Sequence, residues 1–373
     1  MSSGSRSTVL LLIPHLGGGG AERVTALLAA GLSAEKYDLH LGLITQASSD
    51  DVALPPWVKV HPLGASRVRT GALPLLRLVR RLKPDLILSG MFHLNFLVLL
   101  LRPFFPHRTR VLVRQNGTVS ATSAFAGLSW TTRLLYRLLY NRADRIICQT
   151  YSMAEDLARD MGVRKSRLVV LSNPVDVEGI RNFVGLNPAE LNGSGPRLLA
   201  VGRLSREKGF DLLLRALASV RAEFPDASLL IAGAGSEEAA LKAQCHAMGL
   251  DPVVCFEGYL ASPWTRFSAA TLFVLPSRHE GMPNVLLEAA AAGLPIVALP
   301  ASGGLAGLVR HQPGVWLAPE ISSEALADSL LAALHALRPG ERFAHPFVEE
   351  FQIERALQAY ENLIDQTLEK KRR

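Results

Sequence analysis

Short apolar runs recur along the chain, most of them closed by glycine, proline or a polar turn and followed by a longer stretch rich in leucine and alanine. Within the runs Val, Ile and Leu follow one another without polar alternation, the pattern of parallel strands covered on both faces. Runs at Thr8 to Ile13, His40 to Ile44, Val58 to Pro62, Leu86 to Ser89, Val111 to Arg114, Arg145 to Gln149 and Leu168 to Leu171 predict one sheet. Runs at Leu198 to Val201, Leu229 to Ala232, Val253 to Phe256, Thr271 to Leu275 and Ile296 to Leu299 predict a second. Helical patterns fall at Glu22 to Leu32, Leu73 to Leu82, Asp211 to Val220, Glu237 to Met248, Asn284 to Ala292 and Ile353 to Lys370. The expected fold class is α/β, two doubly wound parallel sheets. Asn187 to Pro196 is polar and glycine-containing and reads as the linker, which divides the chain into 1–190, 191–346 and a C-terminal helical segment, 347–373.

A chain of 373 residues is long enough for two domains with separate cores. Its net charge of +7 comes without a nucleic-acid module or an interleaved aromatic stripe, so nucleic acid is not an expected partner. An anionic substrate or membrane surface accounts for the charge better. Three leucine-rich stretches in the N-terminal half carry arginines: Arg77, Arg80 and Arg81 in the first, Arg102, Arg108 and Arg110 after the second, Arg133, Arg137, Arg142 and Arg145 in the third. One such helix is usually an ordinary amphipathic element packed on a sheet. Three together point to peripheral contact with an anionic membrane. The uncharged stretch Leu86 to Leu101 is too short to span a bilayer and is broken by Ser89, Gly90, His93 and Asn95. Arg6 before Val9 to Ile13 has the look of a leader, but the run is short and flows into Pro14 and a glycine loop, so it reads as the first strand. Cys148, Cys245 and Cys255 show no metal-ligand or disulfide spacing and read as packed thiols in a reducing, cytoplasmic setting.

Candidate chemistry concentrates after Pro276. Glu280 stands in a loop and Glu288 inside the helix that follows, while Gly281 permits an unusual backbone angle and Pro283 suits a first helical turn. Unpaired amides near Met282 to Asn284 favour an anion. Two carboxylates beside an anion need cations from elsewhere, and the strand-exit loop Gly202 to Gly209 supplies Arg203 and Lys208 at the same sheet edge. Each piece alone is more often surface than site. Together they outline a ligand with a phosphate middle and hydroxyl-bearing ends. Gly233 and Gly235 in the next strand exit, and Tyr259 one strand beyond, extend the candidate set. Near the N-terminus Gly18 and Gly19 allow close backbone approach, yet the loop lacks the spaced glycines and the following acidic residue of a nicotinamide site, which disfavours an oxidoreductase. No D-x-D motif or histidine cluster offers a metal site.

The stretches RHEGMPNVLLEAAAAGLPIVA (278–298), VGRLSREKGFDLLLRA (201–216) and HLGGGGAERVTALLAAGL (15–32) carry a resemblance that covers nearly the whole chain. The sequence resembles family 4 of the retaining, nucleotide-sugar-dependent glycosyltransferases, of the group 1 type. That resemblance implies the GT-B fold, two Rossmann-like domains facing a central cleft, with the last helix crossing back to the first domain. It implies transfer of a hexosyl or N-acetylhexosaminyl group from a nucleotide-diphosphate sugar to an acceptor hydroxyl with retention, without cofactor or metal. The expected acceptor is a lipid-linked or polysaccharide-precursor glycan at the cytoplasmic membrane face. Arg203 and Lys208 would hold the departing diphosphate, Glu288 the ribose hydroxyls and Glu280 the sugar, with the glycine loop on the acceptor side.

Two departures stand out. Many relatives have a histidine after the strand Val111 to Arg114, where this chain has Gln115 and Asn116. Glutamine hydrogen-bonds but takes no proton, which leaves His93 as the nearest alternative, so these three residues are the acceptor-side candidates. After Gly303 and Gly304, Leu305 and Ala306 stand where relatives often carry a donor-contacting glutamate. The departures keep open a second function, a nucleotide-sugar-binding GT-B protein without turnover that serves as an assembly partner. A nucleotide-sugar epimerase is a third reading, which the glutamate pair disfavours.

Overall fold

Uninterrupted Val/Ile/Leu runs bury both faces of a strand only inside parallel α/β layers, and those layers are what the chain builds. A computed structural model describes residues 6–17, 19–45, 54–119, 130–187, 195–301 and 305–369. By its internal contacts the chain divides into two units, Met1–Pro174 with Ile353–Arg373, and Val175–Gln352.

In the first unit β1 (Ser7–Ile13), α1 (Gly20–Gly31), β2 (Tyr37–Thr45), β3 (Lys59–Ala65), α2 (Ala72–Leu82), β4 (Leu86–Gly90) and α3 (Phe92–Leu101) are followed by β5 (Arg110–Arg114), α4 (Trp130–Leu139), β6 (Arg145–Cys148), α5 (Tyr151–Arg159) and β7 (Leu168–Val170). The strands form one parallel sheet in the order β3-β2-β1-β4-β5-β6-β7. β3 differs from its neighbours in alternating exposed and covered side chains, because it is the sheet's edge. α2 turns Leu75, Leu78 and Val79 inward and its arginines outward.

In the second unit α6 (Val177–Leu186), β8 (Arg197–Val201), α7 (Phe210–Glu223), β9 (Ser228–Ala232), α8 (Glu238–Ala247), β10 (Val254–Gly258), α9 (Trp264–Phe267) and β11 (Leu272–Leu275) precede α10 (Asn284–Ala291), β12 (Ile296–Ala298), α11 (Leu305–Val309), β13 (Val315–Leu317) and α12 (Ser323–Ala336). Their sheet runs β10-β9-β8-β11-β12-β13, all parallel. The order reverses between β8 and β11, the switch point at which open α/β sheets bind ligands. Two parallel sheets of this kind are what the expected GT-B class requires.

The expected boundary at 190/191 lies outside the described residues. The division by contacts falls earlier, at 174/175, because Val177 and Ile180 of α6 enter the same core as Phe267, Leu286 and Ala290. The return crossing falls at 352/353 rather than 346/347, since Phe347, Val348 and Phe351 are buried in that core as well. Val175 N donates to Phe351 O at 2.8 Å, so both crossings are tied together inside the second unit. The final helix, α13 (Ile353–Glu369), belongs to the first unit. Its Glu361 accepts from Ser33 N at 2.9 Å and Lys36 Nζ at 2.7 Å, and Tyr37 donates to Asp365 at 2.6 Å. Cys148 and Cys245 are buried as expected, whereas Cys255 is exposed because β10 is an edge strand.

Candidate functional site

Three strand exits converge at the switch point of the second unit. Gly202 N donates to Ala232 O and Leu204 N to Ala234 O, each at 3.0 Å, and Glu237 N returns to Leu204 O at 2.9 Å. Arg278 N donates to Glu207 O at 2.9 Å, joining the loop after β11 to the loop after β8. Such backbone stitching leaves no room for side chains. A β-carbon on Gly209, which sits at φ +68°, would lie 2.0 Å from Pro276 O, and one on Gly233, at φ +152°, would lie 1.8 Å from Gly202 O. A β-carbon on Gly235 would meet Leu204 O at 2.2 Å. Gly233 and Gly235 thus have a packing reason of their own beside the expected approach to a donor.

The stitched loops bring the expected charges together. Lys208 Nζ donates to Glu280 Oε1 at 2.6 Å, and Ser277 Oγ donates to the same oxygen at 2.6 Å. Glu280 is 8% exposed at its side chain and Lys208 26%. Both bonds fall on Oε1, which leaves Oε2 without a hydrogen-bond partner among the described residues. Arg203 lies in the same loop but is exposed and makes no ion pair among the described residues. Beside this junction Arg278 forms a fork to Asp211, with both N···O distances 2.6 Å, and also donates to Arg206 O at 2.9 Å. Burial alone would raise the Asp211 carboxyl, but the hydrogen bonds and charge of Arg278 outweigh it and hold the group below its ordinary value. Ser277, Arg278 and Asp211 were not among the residues singled out from sequence. No spacing rule pairs a loop arginine with a helix-start aspartate 67 residues away.

Downstream, Gly281 and Pro283 are buried and Met282 packs on the core of the unit. Pro283 caps α10 from outside at ψ 94° instead of sitting in its first turn, and the first turn holds no acidic residue. Asn284 opens the helix and Glu288 follows one turn in, 6% exposed. Tyr259 stands half-exposed after β10, whose last residue, Gly258, accepts from Gly233 N at 2.7 Å. Among the described residues no group of three His, Cys, Asp or Glu could hold a metal ion, and no helix is long and apolar enough to cross a membrane.

The acceptor-side candidates lie in the first unit. His93 is the second residue of α3, at the surface against the Phe92 ring, and partial burial there pushes its imidazole below the ordinary value. Gln115 is buried with both ends of its amide held: Tyr140 OH donates to its Oε1 and its Nε2 donates to Gly117 O, both at 2.8 Å. Asn116 Oδ1 accepts from Gln149 Nε2 at 3.1 Å, while Asn116 Nδ2 has no partner among the described residues. Gly19 is the residue before α1, and Gly18 lies outside the described residues, as do 302–304.

The model for "Glycosyl transferases group 1" matches residues 187–344, and that for "Glycosyltransferase Family 4" matches 18–178. A Campylobacter jejuni protein, N-acetylgalactosamine-N,N'-diacetylbacillosaminyl-diphospho-undecaprenol 4-alpha-N-acetylgalactosaminyltransferase, is 29% identical over 299 residues, 77% of this chain and 79% of that one. The lipopolysaccharide core biosynthesis glycosyltransferase LpsE of Rhizobium meliloti is 26% identical over 233 residues, 62% of this chain and 60% of the relative. The crystal structure of Anabaena HepE with UDP-glucose superposes with a TM-score of 0.79 at 19% identity, covering 96% of this chain and 99% of that one, which shows the shared fold.

Proposed function

This chain belongs to the group 1, family 4 glycosyltransferases, and on that premise we propose that it moves a sugar from a nucleotide diphosphate to a glycan hydroxyl with retention. The observation that carries the reading is the Lys208–Glu280–Ser277 junction at the switch point of the second unit's sheet. An ammonium has three donors, and Glu280 uses one of them here, so two remain for phosphate oxygens. As the bond from the anomeric carbon to the diphosphate oxygen breaks, negative charge grows on the leaving group. Lys208, the exposed Arg203 side chain and the amides at the start of α10 are the groups that meet it. Preorganised donors of this kind are each worth roughly 2.7–4 kcal/mol of barrier.

Glu280 Oε2, without a hydrogen-bond partner among the described residues, would take a hydroxyl of the transferring sugar, and we assign Glu288 to the ribose. The acceptor oxygen forms the new bond to the anomeric carbon, and its proton passes to the departing diphosphate oxygen on the same face. The internal bonds of Gln115 support this route, since the residue at the expected base position is neutral and already engaged.

The Campylobacter relative's name describes a lipid-linked acceptor, and α4 supports the same class here. α4 leaves Trp130 74%, Leu134 43%, Leu135 45% and Leu138 56% exposed, with exposed Arg133 and Arg137 among them. An apolar face edged by arginine suits the interface of an anionic membrane. α2, by contrast, buries its leucine stripe, so of the expected basic helices α4 carries the membrane reading furthest. The assembly-partner reading draws no support from the Lys208–Glu280 junction.

Thermal stabilisation by UDP-, GDP- and other nucleotide sugars tests the donor site, because a ligand that binds only the folded chain raises its stability. At least one donor is expected to shift the transition, and Glu288→Ala to abolish that shift. No shift with any nucleotide sugar would refute the reading.

A further inference from the structure

Parallel pairing sets the exits of β1, β4 and β5 side by side in the first unit, with Leu12 opposite Ser89 and Gly90 opposite Arg114. At a strand spacing of roughly 4.8 Å the three exits span about 10 Å, the scale of one or two sugar rings. The sheet order reverses there too, between β1 and β4. Met91, the first residue past β4, is held at φ +75°, a strained backbone angle for a residue with a side chain.

Buried polar atoms without partners gather at these exits. Glu22, in the first turn of α1, is 3% exposed, yet its Oε2 makes no hydrogen bond among the described residues. Glutamate at this third helical position commonly turns back to bond the amide before the helix. Here the carboxylate does lie over Gly19, 2.3 Å from where a β-carbon would stand, but the capping bond is not made. His15 Nδ1, after β1, and Asn116 Nδ2, after β5, are likewise buried without partners. An unpaired buried carboxylate oxygen costs more than any neutral group, so its retention calls for a ligand that donates to it.

We propose that Glu22 binds the acceptor's sugar, taking hydrogen bonds from its hydroxyls while Asn116 Nδ2 donates to a ring substituent opposite; the proposal rests on the glycosyltransferase reading. Glu22 accepts, Asn116 Nδ2 donates, and a hydroxyl does both, so the set matches a neutral pyranose. A diphosphate has no donor for Glu22 and is repelled by its charge. The subsite therefore reads the sugar of a lipid-linked acceptor and excludes the anionic linkage.

The test uses the full chain and saturation-transfer NMR with methyl glycosides of N-acetylgalactosamine, galactose and glucose, with inorganic pyrophosphate as competitor. At least one glycoside is expected to bind the wild type, to bind Glu22→Gln about tenfold more weakly or worse, and to resist displacement by pyrophosphate. Asn116→Ser, a milder change at the opposite exit, is expected to weaken the same glycoside. Undiminished glycoside binding in both variants, displacement by pyrophosphate, or a wild type that binds none of the three would overturn the proposal. A glycoside effect in a chain that no nucleotide sugar stabilises would instead count against the donor reading and leave this subsite standing.

Discussion

Replacing Lys208 with methionine keeps the volume of the side chain and removes its charge. The variant leaves Glu280, 8% exposed, with Ser277 as its only side-chain hydrogen-bond partner among the described residues. Breaking a fully buried ion pair from one side costs roughly 3–5 kcal/mol. Lys208 is 26% exposed, so water reaches the vacated position and about 2 kcal/mol is the expected loss. In a domain of this size that lowers the transition by roughly 4–8 °C. Glu280→Gln leaves an ammonium that water can still solvate, and about 1 kcal/mol is expected. If the bridge is real, the double variant loses about 1 kcal/mol less than the sum of the single losses.

Turnover divides along the same cycle. Lys208→Met should lower kcat/KM by on the order of 10²–10³, the effect of one charge-stabilising donor. Steady-state kinetics with varied donor, alongside urea unfolding of all four proteins, supplies both readouts. If Glu280 acts by holding Lys208, its substitution costs little further rate once Lys208 is gone. Should Glu280→Gln keep its full rate penalty in the Lys208→Met background, Glu280 acts on the sugar independently. Additive stability losses, or near wild-type turnover of Lys208→Met, would refute the argument from the bridge.

Other positions give sharper single tests. Gly209→Ala is expected to cost more than about 2 kcal/mol in urea unfolding, since its β-carbon would meet Pro276 O at 2.0 Å, whereas Gly258→Ala, at φ +79° in open space, should cost only about 1–2. His40 Nδ1 and His61 Nε2 lie 2.8 Å apart with stacked rings, beside Asp38 and Lys59; burial first, then the charges of His40, Arg81 and Lys59, hold His61 below its ordinary value. A lowered native value means that its contribution is complete above about pH 6.5 and is lost as pH falls through the native value. His61→Asn should flatten urea-unfolding stability over that window, and an unchanged slope would count against it. On α4, Leu134→Asp with Leu138→Asp should reduce co-sedimentation with phosphatidylglycerol vesicles severalfold while leaving the thermal transition in place, because both leucines are exposed. Retained vesicle binding would remove this helix from the membrane reading.

Strand existence was legible wherever an apolar run exceeded three residues, because parallel strands bury both faces. β13 was not: Val315–Leu317 is three residues long, and only its register beside β12 makes it a strand. Contacts divide the chain ahead of the expected linker for a related reason. A polar, glycine-containing stretch marks where the chain tolerates a linker, but the units are divided by packing, and α6 packs with the core that α10 and β11 share.

The candidate site was legible in its charges and illegible in its pairing. Lys208 and Glu280 are 72 residues apart, and what places them 2.6 Å apart is that β11 lies directly against β8 in the sheet. Periodicity identifies strands without giving their order, so the sequence supported two roles for two residues where the structure has one junction. Gln115 shows the converse. Its type alone suggested a group waiting for an acceptor, but Tyr140 and Gly117, neither adjacent to it, already satisfy both ends of the amide. Glu22 is the acidic residue in the first turn of α1, and only its missing bond distinguishes it. A residue type therefore limits what chemistry is possible, while the hydrogen bonds already made determine how much of that chemistry remains for a ligand: Glu280 Oε2, Glu22 Oε2 and Asn116 Nδ2 make no hydrogen bond among the described residues, whereas both ends of the Gln115 amide are already held.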